Sequence, residues 1–319
     1  MRAVSLLLLA SANVVCHAQD YPSKPGRIVV GYTTGGANDI LARLVAQKLT
    51  ESWSQQFIVD NRPGAIGIIG SELVARAAPD GYTLGVVSLS PLVFSRFTYA
   101  KLPYDALTDF APLTTLAMTP MMIAVHPSVP ATSVKALVAL AKAQPGKLSF
   151  ATSGSGGMTN MVLELFRGAT GVQLQPVPYK GATPALTDTI AGHVQGIAES
   201  LPTLHPPIKQ GRLRGIAITS EKRNALLPDV PTALEQGLRD LVAVNWFGFV
   251  APARTPRPVV EKLHGALIKI SGQADVRERF ASMGLEPMTM ASPDAFAAFL
   301  KDETARWSKV AQYAGIKPQ

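Results

Sequence analysis

The chain has 319 residues, 47% of them hydrophobic and 16% charged, with one cysteine and a formal net charge of +8. This balance excludes a disordered polymer, a disulfide framework and a cysteine-rich zinc module, and the length suits about two globular domains. The basic surplus is scattered, and its densest cluster, Lys209, Arg212 and Arg214, has no interleaved aromatic rings to stack on bases; it reads as a solvated surface, and nucleic acid is not an expected partner.

Residues 1–18 read as an export signal: Arg2 gives a positive start, residues 6–10 an apolar run, and Cys16-His17-Ala18 a small-x-Ala cleavage site. Cleavage after Ala18 would leave a mature periplasmic chain without cysteine. The alternative, a lipidated Cys16, lacks the small residue expected just before it. Residues 27–32 then read as a buried strand and 38–53 as a helix whose Ile40, Leu41, Leu44, Val45 and Leu49 share one face. A strand at 57–60, a helix at 66–77 and a strand at 82–88 follow, with Pro79-Asp80-Gly81 turning the chain. The stretch 113–125 reads as extended.

A second series begins with Ser133 as the cap of a helix at 134–143, stopped by Pro145-Gly146. It continues with a strand at 148–151, a helix from about Gly157, a strand at 174–179, a helix at 183–191 and strands near 194–198 and 213–219. After an apolar strand at 242–250 the chain turns helical, at 258–270, 275–283 and 294–313. Alternating strands and helices predict an α/β fold. The extended segments at 113–125 and 242–250 bracket the second series, which predicts two lobes joined by a two-strand hinge with a ligand cleft between them. Lobe 1 would hold residues 19–124 plus 244–319, and lobe 2 residues 125–243.

Catalytic and metal motifs are missing from the sequence. No two of the five histidines stand at HxH or HxxxH spacing, so no metal is expected. Ser153-Gly154-Ser155-Gly156-Gly157 has serine where GxSxG needs its first glycine, and Thr159 stands where GxGxxG needs its third; neither a hydrolase nor a dinucleotide cofactor is indicated. The two Gly/Ser/Thr loops between strand and helix do offer candidate site residues: Tyr32, Thr33, Thr34, Gly35, Gly36, Asn38 and Asp39 in the first, and Ser153, Ser155, Gly156, Gly157, Met158, Thr159 and Asn160 in the second. Glycine lets a ligand approach the backbone, and N–H groups at a helix start favour an anion such as a carboxylate. The same composition also suits an ordinary turn. Neither loop contains lysine or arginine, so a carboxylate would be met by backbone and hydroxyl donors unless Arg62, Arg96 or Lys180 swings in.

Several longer motifs carry a resemblance. Tyr21-Pro22-Ser23-Lys24-Pro25, Gly35-Gly36 with Asp39-Ile40-Leu41-Ala42-Arg43, Asp60-Asn61-Arg62-Pro63-Gly64, Ala77-Ala78-Pro79-Asp80-Gly81-Tyr82-Thr83-Leu84 and Lys101-Leu102-Pro103-Tyr104-Asp105 are followed by Val177-Pro178-Tyr179-Lys180-Gly181, Leu227-Pro228-Asp229-Val230-Pro231-Thr232 and Trp246-Phe247-Gly248. In this order they resemble the Bug family of extracytoplasmic solute receptors over the whole mature chain. The resemblance implies a type II periplasmic binding protein fold, a soluble and monomeric receptor without a catalytic residue, and a small carboxylate ligand. It also implies service to a tripartite tricarboxylate transporter with two integral membrane subunits, and it brings Ser88, Ser90 and Glu199 to the cleft.

Departures from the family pattern fall on the ligand loops. The usual Pro-Phe-Pro-Pro-Gly-Gly is Gly31-Tyr32-Thr33-Thr34-Gly35-Gly36, Ile66 stands where glycine is frequent, Asn160 where histidine is frequent, and Gly157 and Met158 where hydroxyl residues are frequent. Tyr32 and Met158 as walls would suit an aromatic or branched acid better than citrate. Two rival readings remain at this point: a periplasmic enzyme for a small organic acid, using Glu199 as acid or base, and a receptor that reports to a membrane sensor.

Overall fold

Strand β1 (Gly26–Val30) ends in the run Ile28-Val29-Val30, buried on both faces, and such a strand belongs inside a parallel sheet. It pairs in parallel with β2 (Phe57–Asn61) and with β3 (Thr83–Ser88). Parallel neighbours need long crossovers, which α1 (Ala37–Trp53) and α2 (Ile68–Ala75) provide. Helix α1 buries Leu41, Val45 and Leu49 at the helical spacing against Ile28, Val30 and Leu84. The computed structural model describes residues 21–313, 316 and 318; the expected export signal, its cleavage after Ala18 and Cys16 lie outside the described residues.

Helix α2 starts later than the sequence pattern suggests. Ala65 and Ile66 hold φ of 47° and 50°, so a short 3-10 turn over Ala65–Gly67 precedes it. Its beginning packs backbone to backbone on the end of β1: a Cβ on Gly70 would stand 2.6 Å from the Cα of Gly31. That approach fixes residues 64–67 beside the loop that follows β1.

After β3, residues 90–94 form a π-turn leading into α3 (Ser95–Thr98), and the chain then enters β4 (Phe110–Val125), sixteen residues long. The second lobe adds α4 (Val134–Ala143), β5 (Ser149–Thr152), α5 (Met158–Thr170), β6 (Gln175–Pro178), α6 (Ala182–Ile190), β7 (Gly196–Ser200), α7 (Leu201–Lys209) and β8 (Arg214–Ile218). Ser133 caps α4 through the Ala136 N–H, as its position in the sequence suggests. No element is expected from the sequence over 201–209, yet α7 forms there with Pro202 in its first turn and Pro206 and Pro207 inside it. The chain returns through β9 (Val244–Pro252) and finishes with α8 (Arg257–Gly272), α9 (Ala274–Ser282), β10 (Glu286–Pro287) and α10 (Pro293–Tyr313).

Among the described residues the strands form one sheet in the order β2-β1-β3-β9-β4-β7-β5-β6, with β8 and β10 also on β4. Strand β4 spans its two halves. Phe110 to Pro120 pair antiparallel with β9, whereas Met121 to Val125 pair with β7 and Met122 to Val125 with β8. Buried Thr219 fastens the crossing point: the Met121 N–H donates to its Oγ1 at 2.9 Å, and that hydroxyl also lies within hydrogen-bond reach of the Met121 and Ala243 carbonyls. The two lobes are thus joined by two adjacent strands. Helix α10 braces the joint, because buried Glu303 accepts from the indole N–H groups of Trp246 on β9 and Trp307 on α10, each at 3.2 Å.

Candidate ligand-binding cleft

A cavity of about 130 Å³ lies where the lobes face each other. Of the residues expected from the sequence, Tyr32, Thr33, Gly36, Asn38, Ser88 and Ser90 line it from the first lobe. Ser153, Gly157, Met158, Thr159 and Glu199 line it from the second. Thr34 and Gly35 face an outer groove of about 560 Å³ that shares Thr33, Gly36, Ala37, Ala182 and Thr203 with the cavity. Asp39, Ser155, Gly156 and Asn160 line neither space. The lobes touch across the cavity, where the Met158 N–H donates to Ser90 Oγ at 3.2 Å.

Asp39 supports the first loop from beneath. Its Oδ2 accepts from the Gly35 N–H and from Arg43 Nε, each at 3.0 Å, and its Oδ1 accepts from Asn61 Nδ2 at 2.9 Å. Burial works to raise this carboxyl, but the Arg43, Gly35 and Asn61 donors outweigh it and hold it below the usual range. Asn160 plays a milder version of the same part, accepting from the Gly156 N–H at 3.3 Å.

Helices α1, α5, α6 and α7 all begin at the cavity, through Gly36 and Ala37, Gly157 and Met158, Gly181 and Ala182, and Ser200. The caps Gly36, Gly157 and Gly181 have no side chain to bond a backbone N–H and the Ser200 side chain bonds none, although the Met158 N–H is engaged by Ser90 Oγ. The first N–H groups of a helix have no partner within it, and the macrodipole adds positive potential there. Four such ends converge on a space with no lysine or arginine in its wall. Arg62 is held by Asp60 at 2.8 Å and Arg96 by Asp105 at 3.1 Å, while Lys180 is exposed beside Gly181.

Two titratable side chains line the cavity. The Tyr32 hydroxyl donates to the Ile66 carbonyl at 2.8 Å and lies 3.2 Å from Ser88 Oγ. Burial pushes the phenol up to about 12, with Glu199 adding to the rise and Ser88 and Ser90 opposing it, so Tyr32 acts as a neutral wall. Glu199 is 5% exposed. Its Oε1 accepts from the Ser200 N–H at 2.7 Å, and its Oε2 has no partner. Burial pushes this carboxyl above its usual range, although the Ser200 N–H and the nearby Ser153 and Ser200 side chains act to lower it. Neither histidine, cysteine nor lysine stands in the wall.

Ala37, Ile66, Met121, Asn245, Phe247, Gly181, Ala182, Ser200 and Thr203 complete the lining beyond the expected set. Gly181 and Phe247 belong to motifs visible in the sequence. Met121 and Asn245 sit on the crossing strands, Met121 paired with Ser200 of β7 and Asn245 with Thr119 of β4. Among the described residues no group of three or more His, Cys, Asp or Glu side chains is placed to hold a metal ion, and no helix is long and apolar enough to cross a membrane.

The family model described as "Tripartite tricarboxylate transporter family receptor" matches residues 41–316. Protein BugT of Bordetella pertussis is 35% identical over 99% of this chain and 97% of its own length. Among solved structures, R. palustris Rpa4515 with adipate is 35% identical, with a TM-score of 0.90 over 94% of this chain and 100% of that one. MatC from Rhodopseudomonas palustris with bound malate is 28% identical, with a TM-score of 0.84 over 91% of this chain and 100% of that one. With relatives alike over nearly the whole chain and the family model spanning most of the sequence, the chain belongs to the tripartite tricarboxylate transporter receptor family.

Proposed function

We propose that the chain is a periplasmic solute receptor that captures a small carboxylate between its lobes and delivers it to the two membrane subunits of a tripartite tricarboxylate transporter. The convergence of four helix starts on a cavity without cationic side chains carries this reading, since such ends bind carboxylates through backbone N–H groups. Adipate and malate in the two related structures support it. Thr33, Gly36, Ser90, Ser153, Gly157 and Thr159 would hold the anion, with Tyr32 and Met158 as walls. Residues 19–124 with 244–319 and residues 125–243 would move as two bodies about the crossing strands, and the receptor would work as a monomer.

The test is titration of the mature protein with a panel of organic acids, followed by calorimetry in low and physiological salt. Fixed dipoles inside a closed cleft are screened less than exposed ion pairs, so affinity should fall by less than about threefold between the two. Replacing Arg62, Arg96 and Lys180 singly by Gln should be equally mild. A loss of about a hundredfold at any one, the scale of a buried ion pair, would overturn the dipole account. Binding of no carboxylate would overturn the receptor reading itself.

A further inference from the structure

Six buried side-chain nitrogen or oxygen atoms among the described residues have no hydrogen-bond partner, and three of them, Asn38 Oδ1, Glu199 Oε2 and Asn245 Oδ1, belong to residues that line this one cavity. All three are acceptors. A buried acceptor left without a donor costs about 1–3 kcal/mol, more when ionised, and native proteins keep such atoms rare. Here the deficit gathers on residues that surround one space of about 130 Å³, roughly four waters at ~30 Å³ each. Asn38 comes from α1, Asn245 from the crossing strand β9 and Glu199 from β7, so the three line one cavity because both lobes contribute to it.

The helix starts already offer donors to an anion. What the wall lacks is something that donates to its acceptors, and a simple dicarboxylate brings none. We infer that the ligand carries an ammonium group beside its carboxylate, as a zwitterionic amino acid does, with the ammonium seated on Glu199 Oε2 and the carbonyls of Asn38 and Asn245. An ammonium has three N–H donors and one positive charge, which matches three orphaned acceptors of which one is a carboxylate. It also supplies the countercharge that a buried carboxylate otherwise lacks. The raised carboxyl of Glu199 accords with this, because burial without a cation disfavours its ionised form. Glu199 is then a specificity-determining residue. The inference rests on the carboxylate-receptor reading and narrows it.

The experiment uses sets of acids that share a carbon skeleton: aspartate, malate and succinate; glutamate, 2-hydroxyglutarate and glutarate; alanine, lactate and propionate. Each is titrated calorimetrically into the wild-type mature protein. In at least one set the amino acid should bind about tenfold or more tighter than its hydroxy and unsubstituted counterparts, the scale of a hydrogen bond to a charged group. Glu199→Gln should remove most of that preference. Equal or tighter binding of the amine-free acids in every set overturns the inference and leaves the receptor reading standing. The inference also falls if Glu199→Gln folds and holds the amino acid as tightly as wild type. Binding of no member of any set overturns the inference, and the receptor reading falls with it only if the wider panel of organic acids also yields no ligand. The wild-type comparison decides even where the variant does not fold.

Discussion

The corner after β1 and the corner after β7 each bury a carboxylate at the start of a helix, and they treat it in opposite ways. Asp39 is 3% exposed and Glu199 5%, so burial does not distinguish them. Their donors do. Asp39 receives from a backbone N–H, an asparagine amide and a guanidinium, all from its own lobe. Glu199, in the wall of the cavity, receives the Ser200 N–H on one oxygen and has no hydrogen-bond partner on the other. The first carboxylate has both oxygens paired within the protein and the second does not. A carboxylate poised for recognition is therefore found by counting its unmet donors, not by its depth.

Removing the completed carboxylate should have the largest effect. Asp39→Ala strips three donors of their acceptor and is expected to cost about 3 kcal/mol in urea denaturation at neutral pH, the upper end for hydrogen bonds to a charged group. The wild-type contribution should be present above pH 3.8 and fade as pH falls through the depressed folded value, since protonation ends it. An Asp39→Ala protein as stable as wild type would erase the difference between the corners.

Glu199→Gln should act in the other direction. A raised folded pKa means that the neutral form suits the folded state, so this residue's contribution is full below pH 4.5 and is lost as pH rises through the raised value. Glutamine does not ionise and keeps an oxygen for the Ser200 N–H. Without ligand, the variant should therefore gain about 1 kcal/mol over wild type at neutral pH, the scale of one misfit buried polar group. Melting curves across the acid range would show the gap opening as pH rises. A gap that stays flat would mean that Glu199 is as well paired as Asp39.

The sequence shows both corners as candidates but not this difference, because partners such as Asn61 for Asp39 lie far along the chain. Local signals made the strand-to-helix turns, the glycine-rich loops and the two crossing strands legible. The resemblance to a receptor family drew Ser88, Ser90 and Glu199 into the set. Helix α7 escaped because proline in a helix interior removes a hydrogen bond and crowds the preceding turn; here Leu201 and Leu204 pack into the second lobe's core and hold the segment helical. Asn245 and Met121 escaped for a different reason. They sit on strands whose pattern marks them only as buried, and their approach to the cavity follows from strand pairing between distant segments.

Ile66 offers the smallest effect on stability and the finest probe of the cavity. It is a β-branched residue at φ 50°, ψ 31°, a left-handed conformation costing roughly 1–2 kcal/mol for any residue but glycine. Its side chain stands in the cavity wall, with Cγ2 3.1 Å from where a Cβ on Gly154 would lie, so it narrows the space between the lobes. Glycine at this position would relieve the strain. It would also give up a half-buried aliphatic group, about 1–2 kcal/mol, and loosen the unfolded chain by roughly 0.5–1 kcal/mol. These terms nearly cancel, and Ile66→Gly should change stability by less than about 1 kcal/mol. The consequence should appear in selectivity instead. The Tyr32 hydroxyl would keep its bond to the backbone carbonyl of residue 66, so the corner after β1 would stay in place while the cavity widens on that side alone. Larger acids should gain affinity relative to smaller ones of the same charge in parallel titrations of the two proteins. An unchanged size preference would show that the width of the cleft is set elsewhere, at the outer groove shared with Thr33 and Ala182.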